Sequence, residues 1–300
     1  MAVFIREPDY FSAPGERVVT LGFFDGAHLG HQALLKRLRE LSAETGLPSL
    51  VLTFDARPSE RSGLLLTTLE ERLRLLAESG ADTVVVQPFT ETFSSMSSEE
   101  FLRRFIKEKF RAKVVLAGYD CRFGKGREGN IETLKNYSRE FGYLCEEEQP
   151  LRIGGEIVSS TACRELLRKG ELSKLGKFLG RPWALQGTVE AGKGLGRELG
   201  YPTANLALDG LLTPPKGVYG ARYELAGESG KALLYLGDRP TFPGREKAAE
   251  AFLLDFSGDL YGRELRITPE VFLGEEKRYA DGEELRKAIS NFERRWREGL

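Results

Sequence analysis

The chain contains two histidines, His28 and His31, and both lie in the segment 22–31, GFFDGAHLGH. A spacing of three places both imidazoles on one face at the start of a helix. The exposed N–H groups and the dipole of a helix N-terminus favour a phosphate there. Two imidazoles beside those amides can donate hydrogen bonds to phosphate oxygens and to a pyrophosphate leaving group. A metal site is disfavoured, because no further His and no Cys lies nearby to complete it.

Three glycines in the same segment, Gly22, Gly26 and Gly30, allow the backbone to approach a ligand closely. A simpler interpretation is that the paired histidines only cap the helix or pack beneath it. Their place in the loop where the first strand turns into the first helix favours the phosphate site, because ligands of parallel sheets bind at such loops.

A second polar cluster, residues 159–164, reads SSTACR. Its hydroxyls open a helix predicted over 164–169, and capping of that helix explains the cluster when it is taken alone. Considered with the histidine segment, hydroxyls and an arginine at a helix start predict a second clamp on phosphates. The members of this clamp are Ser159, Ser160, Thr161 and Arg164.

The segment 117–130, AGYDCRFGKGREGN, combines basic residues with glycines after a predicted strand. This composition indicates a mobile loop that attracts anions, and a solvated surface loop explains it equally well. Asp120, at the tip of the strand, is placed to orient a ribose or a substrate. None of the three segments offers an obvious nucleophile, so they favour in-line attack of one phosphate on another, which is a nucleotidyl transfer.

A glycine-rich run in the second half of the chain includes two cations. It is not a Walker A loop, because no Lys-Ser or Lys-Thr pair follows the glycines, and it does not fit G-x-G-x-x-G. A flexible hairpin would explain it, but the cations moderately favour a phosphate site. The residues concerned are Gly192, Lys193, Gly194, Gly196 and Arg197.

The segment 200–205, GYPTAN, follows this run, and its extended backbone points Thr203 and Asn205 to the same side. A hydroxyl and an amide oxygen are hard ligands that suit a Mg²⁺ still carrying water and nucleotide phosphate. Pro202 fixes the approach of the chain. A turn stabilised by the Thr or Asn side chain is the competing interpretation.

A carboxylate on an apolar strand is the third feature of the second half. In AEAFLLDF, residues 249–256, strand alternation places Glu250 on the face of the apolar residues at 252, 254 and 256, and Asp255 on the other. An acid on an apolar face needs a reason, and partial desolvation would make Glu250 a better acceptor for the proton of an alcohol. An edge-strand carboxylate that reaches water is the alternative.

The first half of the chain alternates strand-like and helical patterns at short spacing, which predicts a parallel sheet covered on both faces. Its ligands are expected beyond the carboxyl ends of the strands. The strand-like runs are 18–24, 50–54, 83–86 and 113–117.

Helical patterning ends at Leu179, before Gly180 and Pro182, and we place the domain boundary there, giving domains 1–180 and 181–300. Short alternating runs separated by Gly and Pro then predict a small antiparallel barrel, closed by one helix carrying Leu285, Ile289, Phe292 and Trp296 on one face. The runs are 184–190, 218–225, 232–236, 250–256 and 264–272.

Composition limits the class of protein. The formal net charge is -1, with both signs interspersed, so a nucleic-acid binder is not indicated. No stretch has the length of a signal peptide or of a membrane span. The three cysteines lack C-x-x-C spacing and indicate reduced thiols, so a cytoplasmic protein without a membrane partner is expected. A monomer and a weak homo-oligomer both remain open.

Motifs in both halves resemble the bacterial bifunctional riboflavin kinase/FMN adenylyltransferase (FAD synthetase) family, in the right order from about residue 18 to the last helix. The first half contributes GFFDGAHLGH, LTFDARP, AGYDCRFGKGREG and SSTACRELL. The second half contributes LGRELGYPTANL, GVYGA, GDRPTF and EAFLLDFSGDLYG. The resemblance implies an α/β nucleotidyltransferase-type (Rossmann-like) parallel-sheet domain followed by an antiparallel six-stranded β-barrel of the riboflavin kinase type with a C-terminal helix.

The resemblance also implies roles for residues. His28 and His31 contact the ATP phosphates in adenylyl transfer, and Glu250 takes the proton of the riboflavin 5′-hydroxyl. Thr203 and Asn205 bind Mg²⁺ and nucleotide. In the first domain, the residues implied to bind ATP are Gly22, Phe24, Asp25, Gly26, Gly30 and the 159–164 cluster. The residues implied to bind the flavin there are Asp120, Arg122 and Phe123. In the second domain, the residues implied to bind ATP are Gly192, Lys193, Gly194, Gly196, Arg197 and Pro202.

Five positions depart from the family pattern and affect mainly the kinase half. The expected substrates and products are ATP, riboflavin, FMN and FAD, and the departures motivate a flavin-binding regulatory module with a decayed kinase as one alternative. A nucleotidyltransferase for another phosphorylated acceptor is the second. The departures are Arg57 for His, Cys121 for Phe, Tyr235 for Asn, Phe252 for His and Gly274 for Arg.

Overall fold

The computed structural model describes residues 2–6, 11–56, 64–190, 200–208, 210–238, 247–277 and 279–299. Its contacts divide the chain into two compact units. The first unit comprises residues 1–63 and 69–162, and the second comprises residues 64–68 and 163–300. Among the described residues, no helix is long and apolar enough to cross a membrane.

The first unit is built on a six-stranded sheet in which every pair of neighbouring strands is parallel. The parallel sheet expected from the alternation and the Rossmann-like fold implied by the resemblance are therefore confirmed. The strands are β1 (Val3–Ile5), β2 (Arg17–Leu21), β3 (Ser49–Phe54), β4 (Thr83–Gln87), β5 (Ala112–Gly118) and β6 (Leu144–Glu148). The helices are α1 (Leu29–Thr45), α2 (Leu69–Glu78), α3 (Glu91–Ser94), α4 (Ser98–Phe101), which continues as a π-helix (Leu102–Lys109), and α5 (Ile131–Phe141). A two-stranded hairpin, β7 (Arg152–Ile153) and β8 (Glu156–Ile157), follows β6.

The strand order β1-β4-β3-β2-β5-β6 makes β2 the point where the direction of winding reverses. The chain proceeds from β2 through β3 to β4 and then crosses to β5, on the other side of β2. Open α/β sheets bind ligands outside the carboxyl ends of the strands at such a switch point. The turn from β2 into α1, which carries both histidines, lies there.

Two predicted boundaries in the first half are wrong. The apolar run 18–24 is strand only as far as Leu21, because Phe24 takes a left-handed conformation with φ 59°. The helix predicted from Arg164 begins earlier, as α6 (Ser160–Arg168), and the hydroxyl of Ser159 accepts the N–H of Ala162 at 3.2 Å as its cap. Hydroxyl residues 160 and 161 therefore form the first turn of the helix.

The second unit is a closed barrel in the order β10-β13-β12-β11-β14-β9, with every pair antiparallel. This confirms the six-stranded barrel. The strands are β9 (Leu185–Glu190), β10 (Thr203–Leu206), β11 (Gly217–Leu225), β12 (Glu228–Asp238), β13 (Lys247–Leu253) and β14 (Glu264–Gly274). α7 (Leu172–Leu179) precedes the barrel and α8 (Gly282–Arg297) follows it.

The barrel interior is lined partly by alanines. On β13, Ala249 and Ala251 are fully buried and Leu253 nearly so, whereas Glu250 and Phe252 face outward. The strand ends at Leu253, before Asp255 with φ 60°. The prediction that Glu250 shares a strand face with residues 254 and 256 is therefore wrong, although it does share one with Phe252.

α8 closes the outer surface of the barrel through Trp296, whose side chain is 7% exposed. The ammonium group of Lys231 on β12 donates to the carbonyls of Trp296 and Arg297 at 3.0 and 3.2 Å, which satisfies the end of the helix. The same ammonium lies 4.9 Å from the Trp296 ring centroid. The ring lies against Gly220 on β11.

A short segment from the first half of the chain, residues 64–68, belongs to the barrel unit. Leu65 forms an isolated parallel bridge with Leu211, and the indole N–H of Trp183 donates to the carbonyl of Leu66 at 2.9 Å. Leu66 is 1% exposed. Residues 64–68 therefore pack as part of the second unit.

We predict that Gly220→Ala lowers the free energy of unfolding by about 1–3 kcal/mol, because overpacking a filled core costs this much. The added Cβ would lie 2.6 Å from two ring atoms of Trp296. Urea unfolding of the barrel measures the change. Gly176→Ala in α7 is the matched control: its Cβ would meet nothing closer than 3.6 Å. We expect that control to stabilise the protein by about 0.5–1 kcal/mol, and equal destabilisation by both substitutions would contradict the packing argument.

Candidate functional site

The turn between β2 and α1 is strained. Phe24 and Ala27 have positive φ values, 59° and 39°, and Gly26 between them has φ 78°. A non-glycine residue in this region costs on the order of 1–3 kcal/mol and persists only where the surroundings fix it. Asp25, Gly26 and Ala27 form a single buried turn of 3₁₀-helix.

Three side chains hold the carbonyls of this turn. The hydroxyl of Thr53 on β3 donates to Phe23 O at 3.3 Å, and the amide of Gln32 on α1 donates to Ala27 O at 2.9 Å. The hydroxyl of Ser160 on α6 donates to Asp25 O at 2.8 Å. The structure therefore joins the predicted second clamp to the histidine segment through Ser160.

The two imidazoles stack on each other at the start of α1. Their centroids are 3.6 Å apart with 19° between the ring planes, and Phe24 meets His31 edge-on at 5.2 Å. Nδ1 of His28 accepts the backbone N–H of His31 at 3.3 Å. Because Nδ1 accepts, neutral His28 carries its proton on Nε2 and presents an N–H donor there.

Burial, and then the neighbouring His28, lower the pKa of His31 well below its ordinary value of 6.5. The ring of His31 is enclosed between His28 and Phe24, and its Nδ1 is shielded from solvent without a hydrogen-bond partner among the described residues. His31 is therefore neutral at pH 7.

Two of the glycines in this segment make room for neighbouring rings. A Cβ at Gly30 would lie 3.1 Å from Val158 O and 3.2 Å from the His28 ring. A Cβ at Gly22 would lie 3.0 Å from the Phe24 ring. The approach of the backbone to a ligand, for which these glycines were selected from the sequence, stays a prediction.

The other members of the second clamp have different surroundings. Ser159 caps α6, Thr161 is exposed in its first turn, and Arg164 is buried with 7% exposure. Ser160 reaches the histidine turn directly, through its hydrogen bond to Asp25 O.

The loop after β5 is closed by paired backbone hydrogen bonds between Phe123 and Gly129, of 3.1 and 2.9 Å. Phe123 is 7% exposed, and its ring packs 5.4 Å from that of Phe101. Asp120 and Arg122 are exposed. Burial raises the pKa of the Cys121 thiol to about 12, so this departure from the family pattern places a neutral thiol beside the aromatic core.

In the second unit, three strands place a row of polar side chains on the outer face of the barrel. Asn205 on β10 and Tyr235 on β12 both pair with Glu250 on β13, so the three side chains share a face. The hydroxyl of Thr203 donates to Glu250 Oε2 at 3.5 Å, and Asn205 is 7% exposed. The prediction that Thr203 and Asn205 point to one side is confirmed.

The three positions of the second half that depart from the family pattern each have a structural partner. The hydroxyl of Tyr235 hydrogen-bonds Glu276, and Phe252 meets Tyr201 edge-on at 5.1 Å. A Cβ at Gly274 would lie 2.9 Å from the ring of Phe292 on α8. The missing side chain at 274 therefore leaves space that the closing helix fills.

Several predicted residues lie outside the described ranges, namely Arg57, Gly192, Lys193, Gly194, Gly196 and Arg197. Pro202 is described and exposed, one residue before β10. Sequence reasoning missed Thr53 and Gln32, which hold the histidine turn. A threonine in a strand and a glutamine in a helix give no signal of such a role.

Groups of three or more His, Cys, Asp or Glu side chains placed to hold a metal are absent from the described part of the chain. The three cysteines are free thiols; Cys163 is buried, and the other two are partly buried.

Comparison with known proteins relates both units to flavin enzymes. The FAD synthetase family model matches residues 11–162, and the riboflavin kinase family model matches residues 179–300. The bifunctional riboflavin kinase/FMN adenylyltransferase of Escherichia coli (strain K12) is 37% identical over 92% of this chain and 90% of its own length. The Bacillus subtilis (strain 168) protein of the same name is 30% identical over 91% of this chain and 89% of its own length.

One solved structure is also similar. The crystal structure described as a macrolide-efflux protein from Streptococcus pneumoniae has a TM-score of 0.83 and 30% identity, and the match covers 100% of this chain and 99% of that one.

The lowered pKa of His31 predicts a dependence of stability on pH. Above about pH 6.5 the imidazole is neutral in the folded and the unfolded chain, and its contribution is complete. As the pH falls below that value, the unfolded chain binds a proton that the folded chain does not yet bind. The free energy of unfolding should then fall by at most about 1.4 kcal/mol per pH unit from this group.

Urea unfolding at pH 7.5, 6.5 and 5.5 gives the free energy of unfolding at each pH for the parent chain and for His31→Gln. The effect is the difference between the two proteins in the slope of that free energy against pH. The parent should lose more stability than the variant between pH 6.5 and 5.5. Parallel slopes for the two proteins would contradict the assigned direction.

Proposed function

The chain belongs to the bifunctional riboflavin kinase/FMN adenylyltransferase family, and we propose that its two reactions are carried out at the histidine turn and at the outer face of the barrel. As a member of this family, the chain phosphorylates riboflavin to FMN and transfers the adenylyl group of ATP to FMN, giving FAD and pyrophosphate. Residues 1–180 and 181–300 are the proposed domains. Because ATP is a substrate of both reactions, we propose a cytoplasmic location.

At the barrel, we assign the role of general base to Glu250. The 5′-hydroxyl oxygen of riboflavin attacks the γ-phosphorus of ATP, the proton passes to a carboxylate oxygen of Glu250, and the bond to the β-phosphate breaks to release ADP. The supporting observation is the row Asn205, Glu250 and Tyr235 across three adjacent strands, with Thr203 within 3.5 Å of the carboxylate. A general base must lie within hydrogen-bond reach of the proton that it takes, and this row offers oxygen ligands on one side of Glu250 and an aromatic ring on the other.

The donor set on this face fits Mg²⁺. Thr203 and Asn205 supply a hydroxyl and an amide oxygen, and Mg²⁺ usually retains water and substrate phosphate beside a few protein oxygens. When bound, it would neutralise charge on the nucleotide phosphates. We propose the glycine-rich run (Gly192, Lys193, Gly194, Gly196 and Arg197) and Pro202 as the neighbouring contacts for ATP.

At the histidine turn, a phosphate oxygen of FMN attacks the α-phosphorus of ATP, and the bond to the β-phosphate breaks to release pyrophosphate. The attacking phosphate is already ionised, so the step needs positioning and stabilisation of charge rather than a base. We propose that His28 donates from Nε2 to the leaving phosphates and that His31 acts beside it as a neutral ring. Buried backbone at Phe24, Asp25 and Gly26 lies in the same turn.

The remaining assignments of the first unit are also proposals. Ser160 reaches the turn directly, which supports a role for the 159–164 cluster in closing over the phosphates. Asp120 and Arg122 are exposed after β5, beside the switch point, and are proposed to contact the flavin substrate. Phe123 is mainly a core residue and would support the flavin from beneath.

The competing functions are not favoured. A nucleotidyltransferase for another acceptor does not account for the riboflavin kinase match over residues 179–300. A decayed kinase does not account for the preserved grouping of Thr203, Asn205 and Glu250. We do not propose an efflux function for this chain from the description of the streptococcal structure, because both family models are of flavin enzymes.

We predict that Glu250→Ala reduces FMN formation from riboflavin by roughly 10²–10⁴-fold, the usual cost of losing a general base. Product analysis by chromatography measures this in the presence of ATP and Mg²⁺. FAD formation from supplied FMN should be unchanged in the same preparation. Glu270→Gln, a solvent-exposed change on β14, is the control, and a comparable loss in that control would contradict the assignment.

We predict that the double substitution His28→Ala, His31→Ala reduces FAD formation from FMN by about 10²-fold or more, because two donors to the phosphates are lost. FMN formation from riboflavin should persist. If this double variant and Glu250→Ala each impair both reactions equally in folded protein, the two-site proposal is wrong.

A further inference from the structure

Arg72 on α2 is the largest side chain that is fully buried among the described residues. Its Nη2 donates to the backbone carbonyl of Phe54, the last residue of β3, at 2.5 Å. Its guanidinium carbon lies 4.1 Å from the centroid of the Phe23 ring. Arg72 thus contacts the last residue of β3 and a residue just beyond the end of the adjacent β2, at the edge where the histidine turn lies.

A buried guanidinium is an unusual choice for this position. α2 also buries Glu71, Leu73 and Leu76, and the two leucines pack in the core. A leucine at position 72 would avoid the cost of removing a charge from water. Arginine differs from leucine and lysine in having a planar group that can stack on a ring and donate in fixed directions at the same time. The contacts of Arg72 with Phe23 and with Phe54 use both properties.

Phe23 connects Arg72 to the two histidines. It begins the strained turn, its carbonyl is held by Thr53, and the next residue, Phe24, contacts the ring of His31. The other fixed points of the turn hold the carbonyls of Asp25 and Ala27. Arg72 is the contact that fixes a side chain at the start of the turn, and α2 packs against the turn as a whole.

We propose that Arg72 is a positioning residue for adenylyl transfer, which holds the strained turn through the Phe23 ring so that His28 and His31 meet the ATP phosphates. This inference rests on the assignment of adenylyl transfer to the turn. Small displacements of a catalytic group are costly, because in-line transfer between phosphates depends on orientation. Loss of Arg72 therefore lowers the rate of the chemical step more than it weakens substrate binding.

The test compares Arg72→Met, which keeps length and apolar volume, with Arg72→Lys, which keeps the charge but not the plane. FAD formation from FMN and FMN formation from riboflavin are measured on each preparation, well below its unfolding temperature. For Arg72→Met we expect kcat of FAD formation to fall about 10- to 100-fold, with KM for FMN within about twofold of the parent. Arg72→Lys should recover part of that loss at most. Arg104→Met is the control, because it makes the same substitution at a solvent-exposed arginine, and it should leave both reactions unaltered.

A double-mutant cycle tests the route through Phe23. Phe23→Leu removes the ring without altering a charge, and it also tests the contact if Arg72→Met fails to fold. We expect kcat of FAD formation to fall about tenfold in Phe23→Leu, and the double variant to be no slower than Arg72→Met alone. Additive losses would overturn the proposed route.

Three results would overturn the proposal in other ways. Unchanged FAD formation in Arg72→Met would refute it, and an equal loss of FMN formation would indicate a general structural role. A loss confined to KM would indicate a binding role. Failure of the underlying assignment is distinguishable, because His28→Ala, His31→Ala would then leave FAD formation intact whatever the Arg72 variants do.

Discussion

The turn after β2 bends through left-handed backbone at Phe24, Gly26 and Ala27, and the first unit is organised around keeping it there. A strand, two helices and a buried cation supply its fixed points. The result is a pair of stacked imidazoles at the switch point of the sheet, on a turn held by several contacts. A fixed arrangement suits a reaction between two phosphates, because such a reaction needs no nucleophile from the protein and depends on geometry and on stabilisation of charge.

The barrel separates its filled interior from the polar side chains on its outer face. Its interior is filled by residues such as Ala249 and Ala251, and we propose that the outer face carries the chemistry. Glu250 can be partly enclosed on that face without being placed in the core, since neighbouring strands supply polar partners on one side and an aromatic ring on the other. We propose that this arrangement provides the base for phosphoryl transfer from ATP to an alcohol.

Much of this was accessible from the sequence. Alternating periodicity predicted the parallel sheet and the barrel, and the rarity of histidine drew attention to His28 and His31. Strand ends were less accessible: Phe24 continues an apolar run, and only the fixed points of its turn, distant in sequence, force it out of the strand. The residues that share a strand face with Glu250 were predictable only in part, because the core residues beside it, Ala249 and Ala251, are small and give a weak signal of burial. Arg72 gave no signal, since an arginine on a helix ordinarily faces solvent.

The segment 64–68 bears on how such an enzyme can be divided. Leu66 supplies the acceptor for the indole of Trp183, 117 residues away, and Leu65 pairs with Leu211. A gene fragment encoding only the C-terminal part would leave that indole without its acceptor and would uncover the surface on which Leu66 lies. The two catalytic halves are consecutive in the family matches, yet the second folded unit includes residues 64–68, which lie in sequence between two parts of the first unit. Exchange of one half between relatives would therefore have to carry this upstream segment with it.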